Sequence, residues 1–293
     1  MKKAIQSYPV YGLPEVKTLI RLGIEEDIGS GDVSVLSCIP QNQLGTAQML
    51  CKEEARICGL PLAALVYEML APSISVTFFK EEGDLCKPGD VILTASGPAG
   101  ALLSGERLIL NFIQRLSGVA TVSALYAQKA AAYKTQILDT RKTTPGMRML
   151  QKHAVAIGGC NNHRIGLFDM VMLKDNHIDY CGGIALAILK TQAYLKKQGF
   201  SLPIEVETRT IEEVEEACNT GGIQRIMLDN FSPEQIMQAL EIIDGRFETE
   251  ASGGIDFNNL EAYLKTGVDF ISIGALTHSA PSIDISLKTL INN

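Results

Sequence analysis

The sequence predicts an α/β protein: an N-terminal module of short strands and helices, followed by a parallel-stranded (β/α) barrel. Three observations carry this. After Tyr133, short apolar runs alternate with helical stretches at intervals of about 20 to 35 residues, the spacing of βα units, because parallel neighbours need a crossover helix. Each run ends in polar, charged or glycine residues, as strands do when their ends line a site. Before Ala99 the text is shorter in period and punctuated by glycine and proline turns.

In chain order, Pro14 to Asp27 repeats apolar side chains at helical spacing (Val16, Leu19, Ile20, Ile24), and Gly29 to Asp32 stops the pattern. Strands are expected at Ile74 to Phe79 and Val91 to Ala95, around turns at Gly83-Asp84 and Pro88-Gly89-Asp90, with a helix over Pro61 to Leu70. Ala99 to Tyr133 reads as two Ala- and Leu-rich helices broken near Gly118. The barrel strands end at Ile137-Leu138-Asp139, Met170 to Lys174, Ile204 to Glu207, Arg225 to Asp229, Glu250 to Gly253 and Phe270 to Gly274. These are six units, so a closed barrel needs one or two strands the pattern does not reveal, and a doubly wound sheet is the alternative.

At 293 residues and 46% hydrophobic, the chain can bury a large core. A net charge of −7 argues against a surface built for nucleic acid, so any bound anion must be gripped locally. Cys38, Cys51, Cys58, Cys86, Cys160, Cys181 and Cys218 are odd in number and form no CxxC pair, which points to reduced thiols in the cytoplasm. The start MKKAIQSYPVYG lacks the apolar run of a secretory signal, and no window reaches the ~18 uninterrupted apolar residues of a membrane span. A soluble, cytoplasmic protein with no membrane partner is the expectation.

Between Asp139 and His177 this acidic chain turns basic: Arg141, Lys142, Arg148, Lys152, Arg164 and Lys174 face only Asp139, Asp169 and Asp175, and His153, His163 and His177 fall there too. Such a focus suits a small polyanion. Arg141 and Lys142 follow a strand directly; an arginine fork matches a carboxylate and a lysine point charge a phosphate, although solvated loop residues would look the same. In Gly158-Gly159-Cys160-Asn161-Asn162-His163-Arg164, an imidazole and a guanidinium follow a glycine approach, which favours ligand contact over a core histidine. Lys174 closes an apolar strand, where it must pair with a carboxylate or face a ligand.

Glu205 and Glu207 alternate with Val206 and point to one side of their strand. Glu207 with Asp229 at the next strand end can hold magnesium, directly or through water, or can simply neutralise Lys142 and Lys174. Ser252-Gly253-Gly254 and Gly274-Ala275 end the last two strands, where barrels often carry a phosphate site; the bland reading of the glycine pair is a tight turn.

These strings resemble the quinolinate phosphoribosyltransferase family. The likeness runs from EDIGSGD at 26–32 through ERL at 106–108, NF at 111–112, QRLSG at 114–118 and LDTRKTTPG at 138–146. It continues through NHRIGLFDMVMLKDNH at 162–177, EVE at 205–207, LDNF at 228–231, SGGI at 252–255 and ISIGALTHS at 271–279. Cys160 stands where the family usually has a third glycine, and Ser34 where it has threonine. A thiol at position 160 invites sensitivity to thiol reagents.

The resemblance implies an N-terminal α/β sandwich over residues 1–115, with the tail at 278–293 packing back on it, and an incomplete barrel of fewer than eight strands over 116–277. It implies transfer of phosphoribose from phosphoribosyl pyrophosphate to quinolinate with decarboxylation and Mg2+ as cofactor. The products would be nicotinate mononucleotide, pyrophosphate and CO2. The assembly implied is a homodimer in which Arg107 is lent to the neighbouring subunit's site. Arg141, His163 and Arg164 would bind the dicarboxylate; Lys142 and Lys174 would lie where the two substrates meet. Glu207 and Asp229 would face ribose and magnesium, while Ser252, Gly253, Gly254, Gly274 and Ala275 would hold the 5′-phosphate. A related barrel with another acceptor, a Schiff-base aldolase using Lys174 or Lys142, and a non-catalytic nucleotide sensor are the rival readings.

Overall fold

A computed structural model describes residues 8–290, so the start of the chain, on which the expectation of no secretory signal partly rests, lies outside the described residues, as do the last three of the tail. In chain order the elements are α1 (Pro14–Ile28), α2 (Val33–Cys38), β1 (Leu44–Cys51), β2 (Ala55–Arg56), α3 (Leu60–Leu70), β3 (Ser75–Phe78), β4 (Leu85–Cys86), β5 (Val91–Pro98) and α4 (Ala99–Ala130). They continue as β6 (Gln136–Leu138), α5 (Arg148–Ile157), β7 (Val171–Leu173), α6 (Asp175–Cys181), α7 (Ile184–Gln198), β8 (Ile204–Thr208), α8 (Ile211–Thr220) and β9 (Arg225–Asp229). The last are α9 (Pro233–Ile243), β10 (Glu248–Ser252), α10 (Leu260–Leu264), β11 (Phe270–Ser272), α11 (Ala275–His278) and β12 (Ile285–Leu290).

The chain divides into two compact units. One holds the chain up to Leu125, Thr143–Gly159 and the segment from Leu276 onward; the other holds Tyr126–Lys142 and Cys160–Ala275. The division falls ten residues beyond the expected 115/116 boundary because α4 continues without interruption across it, and α5 belongs to the first unit although its sequence lies among the barrel strands.

In the first unit an antiparallel sheet runs β12-β1-β5-β3. Along β1 the side chains alternate, burying Ala47, Met49 and Cys51 on one face. α3 is apolar on nearly every side and buries Leu60 through Tyr67. The Gly31-Asp32-Val33-Ser34 string is a helix start: the Asp32 carboxylate accepts from the Ser34 and Val35 amides, at 3.0 Å each, and from the Ser104 hydroxyl at 2.9 Å.

The break expected at Gly118 does not occur; α4 is a single helix of 32 residues. A Cβ at Gly118 would strike the Pro281 carbonyl. The glycine therefore admits the C-terminal segment against the helix, and Arg115 ties that segment down through the Ala280 and Thr277 carbonyls. This helix is long and apolar enough to cross a membrane by length and composition, yet Ile109, Ile113, Leu116, Val119 and Ala120 are buried at helical spacing, as in a core helix.

The second unit is a parallel sheet in the order β6-β11-β10-β9-β8-β7. The further strand or two needed to close a barrel is not found among the described residues, because the chain leaving β6 enters α5 in the first unit instead of laying down another strand. Part of the open β6 edge is covered by Asn161. It pairs with Leu138 in a single parallel bridge, donating to the Ile137 carbonyl (2.8 Å) and accepting from the Asp139 amide (3.0 Å). β8 is buried at all five positions, as expected of a strand within a covered parallel sheet.

Candidate active site

A parallel sheet delivers all its carboxyl ends to one edge, so the residues that close these strands gather by topology alone. Lys174 follows β7, and its Nζ lies 3.0 Å from Glu207 Oε2 at the end of β8; the Asp175 amide approaches Glu207 Oε1 at 3.5 Å. Asp229 ends β9, where burial and the negative charge of Glu207 push its carboxyl above the usual range while Lys174 pulls the other way. Two carboxylates on adjacent strand ends thus share one lysine. This donor set fits a hard divalent cation that takes its other ligands from substrate oxygens and water.

Beyond β9, Asn230 adopts the left-handed conformation (φ 59°) and donates from its side chain to Asp229 Oδ2 at 2.7 Å. Its amide donates to the Ser252 carbonyl at the end of β10 (2.8 Å). Gly253 is demanded by this approach: its φ is 89°, and a Cβ there would sit 2.9 Å from the Asn230 amide nitrogen. Gly254 (φ 64°) has open space where a side chain would stand, so the Ser252-Gly253-Gly254 loop serves as a turn and still leaves its backbone approachable. Gly274 and Ala275 follow β11 and open α11.

Arg141 and Lys142 follow β6, half-buried and exposed respectively. Arg164 is buried, with Nη1 donating to the Met170 carbonyl at 3.1 Å. Burial chiefly, and then the like charge of Arg141, draw the Arg164 guanidinium below the usual value. An anion bound beside Arg164 would offset that like charge.

His163 is buried at their back. Its amide donates to Asp139 Oδ1 (2.8 Å), its Nδ1 accepts from the Arg164 amide (2.6 Å), and its Nε2 lies 3.0 Å from Glu205 Oε2 and 3.4 Å from Glu250 Oε2. Burial alone would lower this imidazole, but the two carboxylates hold it up at about 9. Arg225 bonds Glu250 from Nη1 at 2.9 Å and Glu248 from Nη2 at 3.0 Å. Asp139, Glu250 and Arg225 were not among the sequence candidates. The available signal was a charged residue inside or ending an apolar strand, the same one that exposed Lys174.

The basic segment is divided between the two units. Arg148, Lys152 and His153 lie on α5 in the first unit. There His153 faces Glu82 at 3.5 Å, and the same carboxylate caps α3 through the Gly59 and Leu60 amides (2.8 and 2.7 Å) and accepts from the Tyr11 hydroxyl (2.6 Å). Gly158 serves packing: a Cβ would lie 3.0 Å from the Ala124 amide nitrogen. Cys160 is buried, and burial pushes its thiol up to about 12, so the expected sensitivity to thiol reagents is not supported. Arg107 is exposed on α4 in the first unit, so the second unit by itself does not contain it.

A six-stranded parallel sheet with carboxylates, lysines, arginines and glycine loops at its strand ends defines an α/β protein equipped for a small, highly charged anion. Two family profiles match in tandem: the quinolinate phosphoribosyl transferase N-terminal domain over residues 32–117 and its C-terminal domain over 119–288. A rice protein (Oryza sativa subsp. japonica) named chloroplastic nicotinate-nucleotide pyrophosphorylase [carboxylating] is 43% identical over 96% of this chain and 79% of its own length. A Bacillus subtilis protein named as a probable enzyme of the same kind is 41% identical over 95% of both chains. The solved nicotinate-nucleotide pyrophosphorylase of Francisella tularensis superimposes with a TM-score of 0.89 at 39% identity, over 96% of this chain and 99% of that one. The chain belongs to the quinolinate phosphoribosyltransferase family.

Proposed function

We propose that the protein transfers the phosphoribosyl group of phosphoribosyl pyrophosphate to quinolinate with decarboxylation, giving nicotinate mononucleotide, pyrophosphate and CO2 for de novo NAD biosynthesis. Its relatives carry that activity in their names, and the observation in this chain that carries it furthest is the buried Arg164 guanidinium with the like charge of Arg141 acting on it, a pairing suited to an acceptor with two adjacent carboxylates.

In this reading Arg141 and Arg164, with His163 beside them, orient the pyridine ring so that its nitrogen attacks C1′ of the ribose as the C1′–O bond to pyrophosphate breaks. Lys142 and Lys174 stabilise charge on the phosphoryl side, while Glu207 and Asp229 favour positive charge at the ribosyl carbon. The Ser252-Gly253-Gly254 and Gly274-Ala275 loops hold the 5′-phosphate. Once quaternised, the positively charged ring nitrogen stabilises the electron pair left on C2 as the 2-carboxylate departs as CO2, and a proton then bonds to that carbon. Glu207 and Asp229 would also hold Mg2+, which when bound supplies neutralising charge for the leaving pyrophosphate. The ion pair between Lys174 and Glu207 is unlike the desolvated apolar setting of a Schiff-base lysine and disfavours the aldolase reading.

Adding quinolinate to enzyme, phosphoribosyl pyrophosphate and magnesium is expected to release pyrophosphate and CO2 in equal amounts. Pyrophosphate without CO2 would exclude decarboxylation. The working form proposed is a cytoplasmic homodimer with Arg107 reaching the partner's site; all seven cysteines are free thiols, which suits a reducing compartment. Mixing inactive Arg107→Ala and Lys174→Ala chains should restore part of the activity through hybrid sites. No recovery after subunit exchange would count against the shared arginine.

A further inference from the structure

We propose that Cys58, Glu82 and His153 form a structural zinc site in the first unit, built from residues the transfer reaction does not use. Their ligand atoms, one sulfur, one carboxylate oxygen and one imidazole nitrogen, lie within 4.8 Å of one another.

Four chain segments deliver the cluster. Cys58 stands just before α3, Glu82 lies in the turn between β3 and β4, His153 sits on α5, and Tyr11 belongs to the short helical turn Pro9–Gly12. Glu82 is fixed at both oxygens. Oε1 accepts the Gly59 and Leu60 amides at 2.8 and 2.7 Å, while Oε2 accepts the Tyr11 hydroxyl at 2.6 Å and lies 3.4 Å from the Cys58 sulfur. The Tyr8 and Tyr11 rings meet the His153 ring edge-on, with centroids 5.5 and 5.2 Å away. Outer contacts of this kind hold ligands in place before a metal arrives. Yet His153 Nε2 is buried without a hydrogen-bond partner, 3.5 Å from Glu82 Oε2. Leaving a buried ring nitrogen in that state is costly, and a coordinated cation satisfies it.

Geometry and charge both select zinc. Around a tetrahedral zinc, neighbouring ligand atoms stand about 3.3–3.6 Å apart, given bonds of roughly 2.0–2.3 Å. The sulfur–oxygen and nitrogen–oxygen separations here are 3.4 and 3.5 Å. The sulfur–nitrogen edge would close by a small rotation of the His153 side chain. A mixed sulfur, nitrogen and oxygen set is wrong for magnesium or calcium, which take oxygen ligands. As its sulfur bonds the ion, the Cys58 thiol releases its proton to solvent. Thiolate and carboxylate then carry two negative charges, which a divalent ion neutralises in a setting where Glu82 is only 3% exposed. Water would complete the tetrahedron from the side of His153, which is 16% exposed. The bound ion would clamp α5 to the turn carrying Glu82 and to the start of α3.

The test uses the full-length protein, stripped with a chelator and reloaded with zinc or cobalt. The wild type should hold one zinc per chain and, with cobalt, show a near-ultraviolet charge-transfer band from sulfur to metal. Such a band needs a thiolate ligand, so an ion held by Glu207 and Asp229 cannot produce it. Zinc should also raise the Tm by about 3 °C or more. Cys58→Ser and His153→Gln should lose both the band and the Tm rise, while Cys38→Ser, altered at an exposed cysteine, should keep them. A wild type without the band, or a Cys58→Ser protein that retains it, would overturn the site. Zinc that survives Cys58→Ser but is lost in Glu207→Gln would place the ion at the strand ends and overturn it too. Should Cys58→Ser or His153→Gln fail to fold, the wild-type band and its retention in Cys38→Ser decide.

Discussion

Arg164→Met is expected to lower kcat/KM for quinolinate by about 30- to 1,000-fold, the equivalent of roughly 2–4 kcal/mol for a lost charge-assisted contact in a shielded site. Most of the loss should appear in quinolinate KM, because the role proposed for the guanidinium is to hold the acceptor and not the leaving pyrophosphate. The fold should tolerate the change. The like charge of Arg141 acts on Arg164, whose guanidinium donates to the Met170 carbonyl, so removal relieves repulsion as well as costing that bond. Thermal unfolding measured beside the kinetics checks this directly: an unchanged or raised Tm with a large rise in quinolinate KM is the expected combination.

Lys174→Met is expected to act on the other half of the reaction and to lower kcat by about 100- to 1,000-fold, as when one preorganised electrostatic donor is removed. The reason lies in what the lysine holds. Its Nζ is 3.0 Å from Glu207, and it opposes the Glu207 charge that pushes the Asp229 carboxyl up. Without it, the two carboxylates confront one another and Asp229 is driven further toward its neutral form. Lys174→Arg should recover little, since a planar fork cannot reproduce a compact point charge between two strand ends. Single-turnover measurements with both substrates saturating would separate this loss of chemistry from a loss of binding.

The six parallel strands were legible because each ends an apolar run in charge or glycine, and periodicity survives any tertiary context. Lys174, Glu207 and Asp229 followed from the same rule. Other features could not be read locally. Gly118 looks like a helix breaker in a sequence but is a contact point for the segment near Pro281, which lies far away along the chain. The helix Arg148–Ile157 reads as part of the barrel, yet its His153 pairs with Glu82 in the first unit. His163 was legible as a charged-site residue, but its burial with Nε2 toward Glu205 and Glu250 and its backbone amide on Asp139 depends on three other strand segments. Cys160 shows the same limit, since the burial that pushes its thiol up is announced by no residue beside it.

Acceptor choice tests the account most directly. In the proposed reading Arg141 and Arg164 receive two carboxylates, and an acceptor with one satisfies them only in part. Turnover of quinolinate and of nicotinate should therefore be compared at equal phosphoribosyl pyrophosphate and magnesium, following pyrophosphate release. The account predicts kcat/KM for quinolinate higher by at least about 100-fold, with nicotinate releasing no CO2. Comparable use of nicotinate would contradict it.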